Sequence, residues 1–332
     1  MTGGIYCESY IGRVYDEGKF ESIHERMNRL FGSSLGLPSN KTLTQQVIDA
    51  WYNIVSRKMG RVLSSWSAPG NRGFKNRTVD LTRSICMGVY KDGKYSKEIV
   101  IPISMCDFTE RLSINDLAAI FMDMAYEDAE RRGIGTAVMK EEHFFWLTVR
   151  TKFVFHKFPK ALEKIKVLTW PNPFGSALCN RCYTMEDENG ERLASGITEW
   201  AIFDLETNRL IKKLSDTFLK QEVLPETPFE IGRLRIGHDF SGCEKLGTYK
   251  VRSTDIDIGN HMNNVAYIRA LLSLLSTERR RELDIKGMDI SYRSPSFEDE
   301  ELGVYIRKDE GFSDIGMLHS DGKPSVLARI NY

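Results

Sequence analysis

From residue 87 onward the sequence predicts an α+β protein built twice over, with two antiparallel sheets each wrapped around one central helix. Three observations lead there. Apolar and polar residues alternate through most of this stretch, the signature of half-buried strands. Only two clear segments carry the three-to-four-residue apolar spacing of a helix. The order of helix and strands in the first part then recurs, shortened, in the second.

Residues 1–86 have a different texture, with helical patterns over residues 20–31 and 43–63 followed by the Gly/Pro/Ser/Asn-rich passage SSWSAPGNRG. They are expected to form a helical or poorly ordered extension of unknown fold. The first helix of the main body follows Ser113, a candidate N-cap with Asp116 three residues on, and stops at Gly133 after Arg131 and Arg132. Its apolar stripe is Ile114, Leu117, Phe121, Met124 and Ala125. Strand-like runs follow at residues 144–156, 165–170, 177–185 and 193–204, with the turn EDENGE before the last. They complete a first domain over residues 87–211.

A second domain is expected over residues 247–332, after a connection at residues 212–246 that contains Pro225 and Pro228. At an offset of 148, Asp107 falls on Asp255, Ile114 on Met262, Asn115 on Asn263, Leu117 on Val265, Ala118 on Ala266 and Ile120 on Ile268. Farther on the offset becomes 137, which sets Phe153 on Ile290, Phe155 on Tyr292, Ile165 on Leu302 and Val167 on Val304.

Composition narrows the function. The 332 residues are 41% hydrophobic and 28% charged, with 46 basic against 46 acidic side chains, so no global field favours nucleic acid or an anionic membrane. No run reaches the roughly 20 apolar residues of a membrane span, and MTGGIYCESY lacks a signal-peptide core. A cytoplasmic protein is expected. The six cysteines form no disulfide framework, which agrees with a reducing compartment.

Chemistry concentrates in DIDIGNHMNNVAYI, residues 255–268. At the 148 offset, Thr109, Arg111, Leu112 and Ser113 of the first copy are replaced by Asp257, Gly259, Asn260 and His261. A carboxylate, an amide and an imidazole thus gather at one helix start, where free N–H groups and the helix dipole suit an oxyanion. Gly259 permits close approach of a substrate. Asp257 could hold or deprotonate a water, while His261 and Asn260 donate to a carbonyl oxygen or steady the nucleophile. Asn263 and Asn264 read as capping groups.

This segment resembles the second-domain signature of acyl-acyl carrier protein thioesterases of the bacterial type, DxDxNxHxNNxxY. CDFTERLSINDLAAIFMDMAYEDA and WAIFDLETNRLIK resemble companion segments of that family's first domain. The resemblance covers most of residues 87–332. It implies a tandem hot-dog fold and hydrolysis of fatty acyl thioesters on acyl carrier protein. It also implies no metal or organic cofactor, and a monomeric pseudo-dimer or a homodimer. Asp257 and His261 match the family's aspartate and catalytic histidine. The family's asparagine stands at Gly259, leaving Asn260 displaced by one, and its glutamate stands at Pro295, so a base role would pass to Asp257, Glu298 or Asp299. Trp146, Phe121 and Met122 are candidates to line the acyl pocket, with core packing as the alternative. Other readings are an acyl-CoA thioesterase, a catalytically degenerate binder of acyl chains or carrier protein, and a hot-dog hydratase or dehydratase.

Three further signals are set aside. Residues 32–36 satisfy GxSxG, but a helical run precedes them and Pro38 follows. Cys179 and Cys182 form CNRC without a second Cys/His pair to complete a metal site. His143, His156, His238 and His319 stand isolated in the sequence and receive no role.

Overall fold

A computed structural model describes residues 88–175, 178–211 and 221–332. The helices expected at 20–31 and 43–63, the GxSxG pattern and the rest of residues 1–86 lie outside the described residues.

The first half opens with a hairpin of β1 (Val89–Lys91) and β2 (Lys94–Val100), turned at Asp92 and Gly93 with φ of 52° and 74°. Helix α1 (Ile114–Arg131) is capped as expected, Ser113 Oγ accepting the Asp116 N–H at 3.1 Å. After α1 the chain passes Gly133 at φ 70° and forms the short helix α2 (Thr136–Glu141). Strands β3 (Phe144–Phe155), β4 (Lys164–Pro171), β5 (Cys179–Glu186), β6 (Arg192–Asp204) and β7 (Arg209–Leu210) follow.

The second half repeats this plan. Strand β8 (Glu244–Lys250) leads to helices α3 (Asn264–Ser273) and α4 (Thr277–Glu282). Strands β9 (Gly287–Tyr292), β10 (Glu301–Asp309), β11 (Phe312–Leu318) and β12 (Pro324–Asn331) close it. Helices α2 and α4 were not foreseen, because six residues are too few to show a two-turn apolar stripe.

The strands join edge to edge in one 12-stranded sheet, in the order β1, β2, β4, β5, β6, β3, β9, β12, β11, β10, β8, with β7 beside β6. All the pairs are antiparallel. Reading outward from the centre, β3, β6, β5, β4, β2 mirror β9, β12, β11, β10, β8. The two sheets predicted from the repeat are therefore continuous through β3 and β9, where Lys152 faces Asp289. That pair marks the pseudo-twofold axis: at the 137 offset each residue maps onto the other's position.

Helices α1 and α3 pack together on one face of the sheet. Leu117, Phe121 and Met124 join Phe153, Ile165 and Met185, and Ile268 and Leu271 join Ile290, Val304 and Ile330, in one apolar core. Each fully buried side chain of this size contributes roughly 1.5–3 kcal/mol. Gly196 lets α1 approach β6, since a Cβ there would lie 2.9 Å from the Phe121 ring.

The opposite face is covered by the connection between the halves. Leu224, Phe229 and Ile231 pack on Trp170, Cys182 and Ile197, and Leu234, Ile236 and Phe240 pack around Leu327. Trp170 Nε1 donates to Glu226 O at 2.9 Å, and Asn172 Nδ2 to Leu224 O at 2.7 Å. At the centre Arg150 donates to Asp289 through two nitrogens, at 2.7 and 2.6 Å, and to Gly232 O at 2.8 Å. The described part of the connection, residues 221–243, is thus a packed strap. Among the described residues no helix is long and apolar enough to cross a membrane.

Candidate active site

The segment ahead of each central helix folds into the same short loop, which sets the true register of the repeat. In the first copy Asp107 N–H donates to Arg111 O at 2.9 Å, Glu110 N–H to Asp107 O at 2.9 Å and Ser113 N–H to Met105 O at 2.9 Å. In the second, Asp257 N–H donates to His261 O at 3.1 Å, Asn260 N–H to Asp257 O at 3.0 Å and Asn263 N–H to Asp255 O at 2.8 Å. Glu110 and Asn260 both sit in the left-handed region, at φ 61° and 59°. The offset at the helix is therefore 150, and the expected 148 is corrected. A helical apolar stripe tolerates a small shift, whereas a tight turn and a cap do not.

The correction changes what the comparison of copies means. Asp257 matches Asp107, and each carboxylate accepts the N–H two residues on, Gly259 and Thr109, at 2.8 Å. The aspartate is thus a turn former common to both halves. The second copy differs at Gly259 for Thr109, Asn260 for Glu110 and His261 for Arg111.

Around Asp257 the polar atoms are largely committed. Its Oδ1 receives Gly259 N–H and its Oδ2 the Asn263 amide at 3.3 Å, while His261 Nδ1 stands 4.0 Å from Oδ1, too far for a hydrogen bond. His261 Nδ1 instead lies 3.3 Å from Met262 O. Its ring meets Phe145 of β3 edge-on, with centroids 6.4 Å apart and planes at 89°. Gly259 backs the ring: a Cβ there would lie 2.9 Å from His261 Nε2 and 3.1 Å from Asp257 Oδ1. Asn260 is exposed at the turn.

The asparagines are structural, in part as expected. Asn263 caps α3, its Oδ1 accepting Val265 N–H at 2.8 Å. Asn264 does not cap; its Nδ2 donates to Thr148 Oγ1 of β3 at 2.9 Å, beside a register shift in that strand. Two backbone donors at the helix start are taken, Val265 N–H by the cap and Met262 N–H by Ser296 O at 2.8 Å. Asp255 is buried and fixed by Tyr249 Oη at 2.8 Å, Arg252 N–H at 2.9 Å and Arg269 Nη2 at 2.8 Å. Burial works to raise its carboxyl, but these donors and the Arg269 charge outweigh it and hold the group below the usual carboxylate range.

The two loops differ in the side chains that meet them. Arg280 of α4 donates to Asp107 at 2.9 Å, and Arg280 and Arg281 lie 4.9 and 5.2 Å from the Phe108 ring, while Thr109, Glu110 and Arg111 stay exposed. The residue equivalent to Phe108 is Ile258, which is 76% exposed. Helix α1 has 18 residues against 10 in α3, so α2 begins farther along the chain than α4 does in its own half.

The proposed pocket residues are not gathered. Trp146 belongs to a separate small cluster with Ile134, Met139 and Ile202 and donates to Ile134 O at 3.0 Å. Phe121 is buried in the main core, stacked on Tyr183 at 4.9 Å. Met122 is half-buried on α1. Of the acids considered in place of Pro295, Glu298 is exposed and Asp299 is paired with Lys250 at 2.8 Å. Cys179 and Cys182 are buried thiols, and burial pushes both up to about 12. Phe145 and His319 were missed, the first because an aromatic on a strand reads as core. His319 was missed because its partners, Ser294 and Glu300, lie 25 and 19 residues away.

Two family models match the chain: the acyl-ACP thioesterase N-terminal domain over residues 92–221 and the acyl-ACP thioesterase C-terminal domain over residues 242–331. The chain is 22% identical to oleoyl-acyl carrier protein thioesterase 2, chloroplastic, of Arabidopsis thaliana, covering 63% of this chain and 62% of that protein. It is 25% identical to an acyl-[acyl-carrier-protein] hydrolase, chloroplastic, of Cuphea viscosissima, covering 64% and 58%. The chain thus spans about three fifths of the length of these curated relatives. Among solved structures, an acyl-ACP thioesterase from Bacteroides thetaiotaomicron matches with TM-score 0.66 and 20% identity over 72% of this chain and 98% of that one. The 12:0-ACP thioesterase from Umbellularia californica matches with TM-score 0.65 and 17% identity over 73% and 98%. The shared fold is the double hot-dog.

Proposed function

The chain belongs to the acyl-ACP thioesterase family, and from that premise we propose that it hydrolyses fatty acyl thioesters of acyl carrier protein, releasing free fatty acid and holo-acyl carrier protein. The observation that carries the reading is the contrast between the two loops. The second loop carries His261 where the first carries Arg111, and in the first loop Asp107 and Phe108 are engaged by Arg280. With Nδ1–H donating to Met262 O, His261 carries its lone pair on Nε2. Nε2 takes a proton from a water that attacks the thioester carbonyl and returns it to the leaving thiolate. Asp257 acts chiefly by shaping the loop, and the exposed Asn260 amide donates to the thioester oxygen. Met122 and Trp146, half-buried in separate places, are each a candidate acyl contact, and Phe121 serves the core. We read the molecule as a pseudo-dimer within one chain, acting in the cytoplasm in fatty acid biosynthesis.

The occupied oxygens of Asp257 and the proline at 295 favour a second reading, binding of acyl carrier protein without turnover. Single-turnover thiol release from acyl-acyl carrier protein separates the two. Hydrolysis that falls about 10²–10⁴-fold in His261→Ala supports the enzyme; release at the background rate in the wild type leaves only binding.

A further inference from the structure

Another set of chemistry-bearing side chains converges in the second half, in the loop whose Ser296 O accepts Met262 N–H. Past β9 the chain brings Ser294 to the end of β11, where Ser294 Oγ lies 2.8 Å from His319 Nε2. His319 Nδ1 is in hydrogen-bond contact with Glu300 Oε1. Hydroxyl, imidazole and carboxylate follow in line, each ring nitrogen given to one partner.

The backbone holds this line from several sides. Glu300 Oε2 receives Phe297 N–H at 3.1 Å, which leaves Oε1 to the imidazole. His319 is pinned in its hairpin, its N–H donating to Lys323 O and its carbonyl accepting Gly322 N–H, both at 2.9 Å. Ser294 O accepts Ser325 Oγ at 3.0 Å, and Ser296 N–H donates to Tyr267 Oη of α3 at 3.0 Å. The His319 and Glu300 side chains are 15% and 28% exposed, so the line is partly withdrawn from water yet reachable.

We propose that Ser294 is a second, acyl-accepting nucleophile, activated by His319 and oriented by Glu300, for activated acyl esters such as thioesters or aryl esters. A neutral imidazole that donates Nδ1–H to Glu300 presents the Nε2 lone pair to the hydroxyl. Pro324 O, at 3.0 Å, competes for the same proton and is the more distant acceptor. Phe297, 56% exposed in the same loop, offers an apolar surface to the acyl or aryl group.

In the step itself Ser294 Oγ bonds to the acyl carbonyl carbon while its proton passes to Nε2. The C–S or C–O bond of the donor then breaks, and the leaving thiolate or phenolate takes that proton. Water, deprotonated by the same nitrogen, next attacks the Ser294 ester, releases the carboxylic acid and restores the hydroxyl.

The test is to treat the full chain with a fluorophosphonate, follow intact mass, map the labelled peptide, and record the p-nitrophenol burst from p-nitrophenyl acetate. One adduct per chain on Ser294 is expected, absent in Ser294→Ala, slowed about 10²–10⁴-fold in His319→Gln, slowed in Glu300→Gln and unchanged in His261→Ala. Absence of label from Ser294 overturns the proposal, as does an unaltered rate in folded His319→Gln. Should Ser294→Ala fail to fold, wild-type mapping and the His319→Gln rate still decide. The labelling does not depend on hydrolysis at His261, so either site can fail without the other.

Discussion

His261, in the second half of the chain, meets Phe145, in the first, edge to ring at 6.4 Å and 89°. The contact crosses the pseudo-twofold and places the imidazole against an apolar wall that its own half does not supply. Removing that wall should leave the fold intact and free the ring to rotate. Phe145→Ala is expected to lower kcat on an acyl-acyl carrier protein thioester about tenfold, with KM moving less, and Phe145→Leu to recover part of the loss. Equal kinetics in wild type and Phe145→Ala would refute a positioning role.

Gly259 carries a sharper expectation. A side chain there would start 2.9 Å from His261 Nε2, so an asparagine introduced by Gly259→Asn must displace the imidazole. Steady-state hydrolysis by Gly259→Asn should fall below wild type instead of rising. A faster variant would show that the ring moves freely out of the way.

Asp255 links the site to pH. Its folded carboxyl titrates below the usual range, so its contribution to stability is fully present above the ordinary carboxylate pKa and is lost as pH falls through the lower folded value. Asp255→Asn should therefore reduce stability by about 1.5–3 kcal/mol near neutrality, with the gap closing in acid. Urea unfolding at neutral and acidic pH measures both; a gap that widens on acidification would reverse the sign of the argument.

Where β3 meets β9, Arg150 and Asp289 form a buried pair beneath the strap. Arg150→Met leaves the carboxylate stranded and should cost about 3–5 kcal/mol, more than Arg150→Met with Asp289→Leu together. Chemical denaturation of the two variants checks the order, and a double variant weaker than the single one would contradict it.

The cysteines allow a simple check of burial. Cys179 and Cys182, with thiols pushed up to about 12 by burial, should react with iodoacetamide only on unfolding. Mass spectrometry of alkylated peptides under native conditions and in denaturant reads this directly.

The sequence by itself determined the plan, the two central helices and the main strands of the first half. Ser113 and Gly133 bound α1, alternating residues lay out the strands, and the recurrence at 137 carries Ile165 to Leu302 and Val167 to Val304, as the β4 and β10 pairings bear out. These features are local, and a cap or a period of two is written in neighbouring residues. Only the tertiary structure decided the rest: the joining of β3 to β9, the register of 150, the contact of Arg280 and Arg281 with Phe108, and the meetings of Phe145 with His261 and of Ser294 with His319 and Glu300. Each of these depends on residues far apart in the chain or on turn hydrogen bonds. An apolar pattern carries no record of either, since burial is non-directional while hydrogen bonds and ring contacts depend on position to a fraction of an ångström.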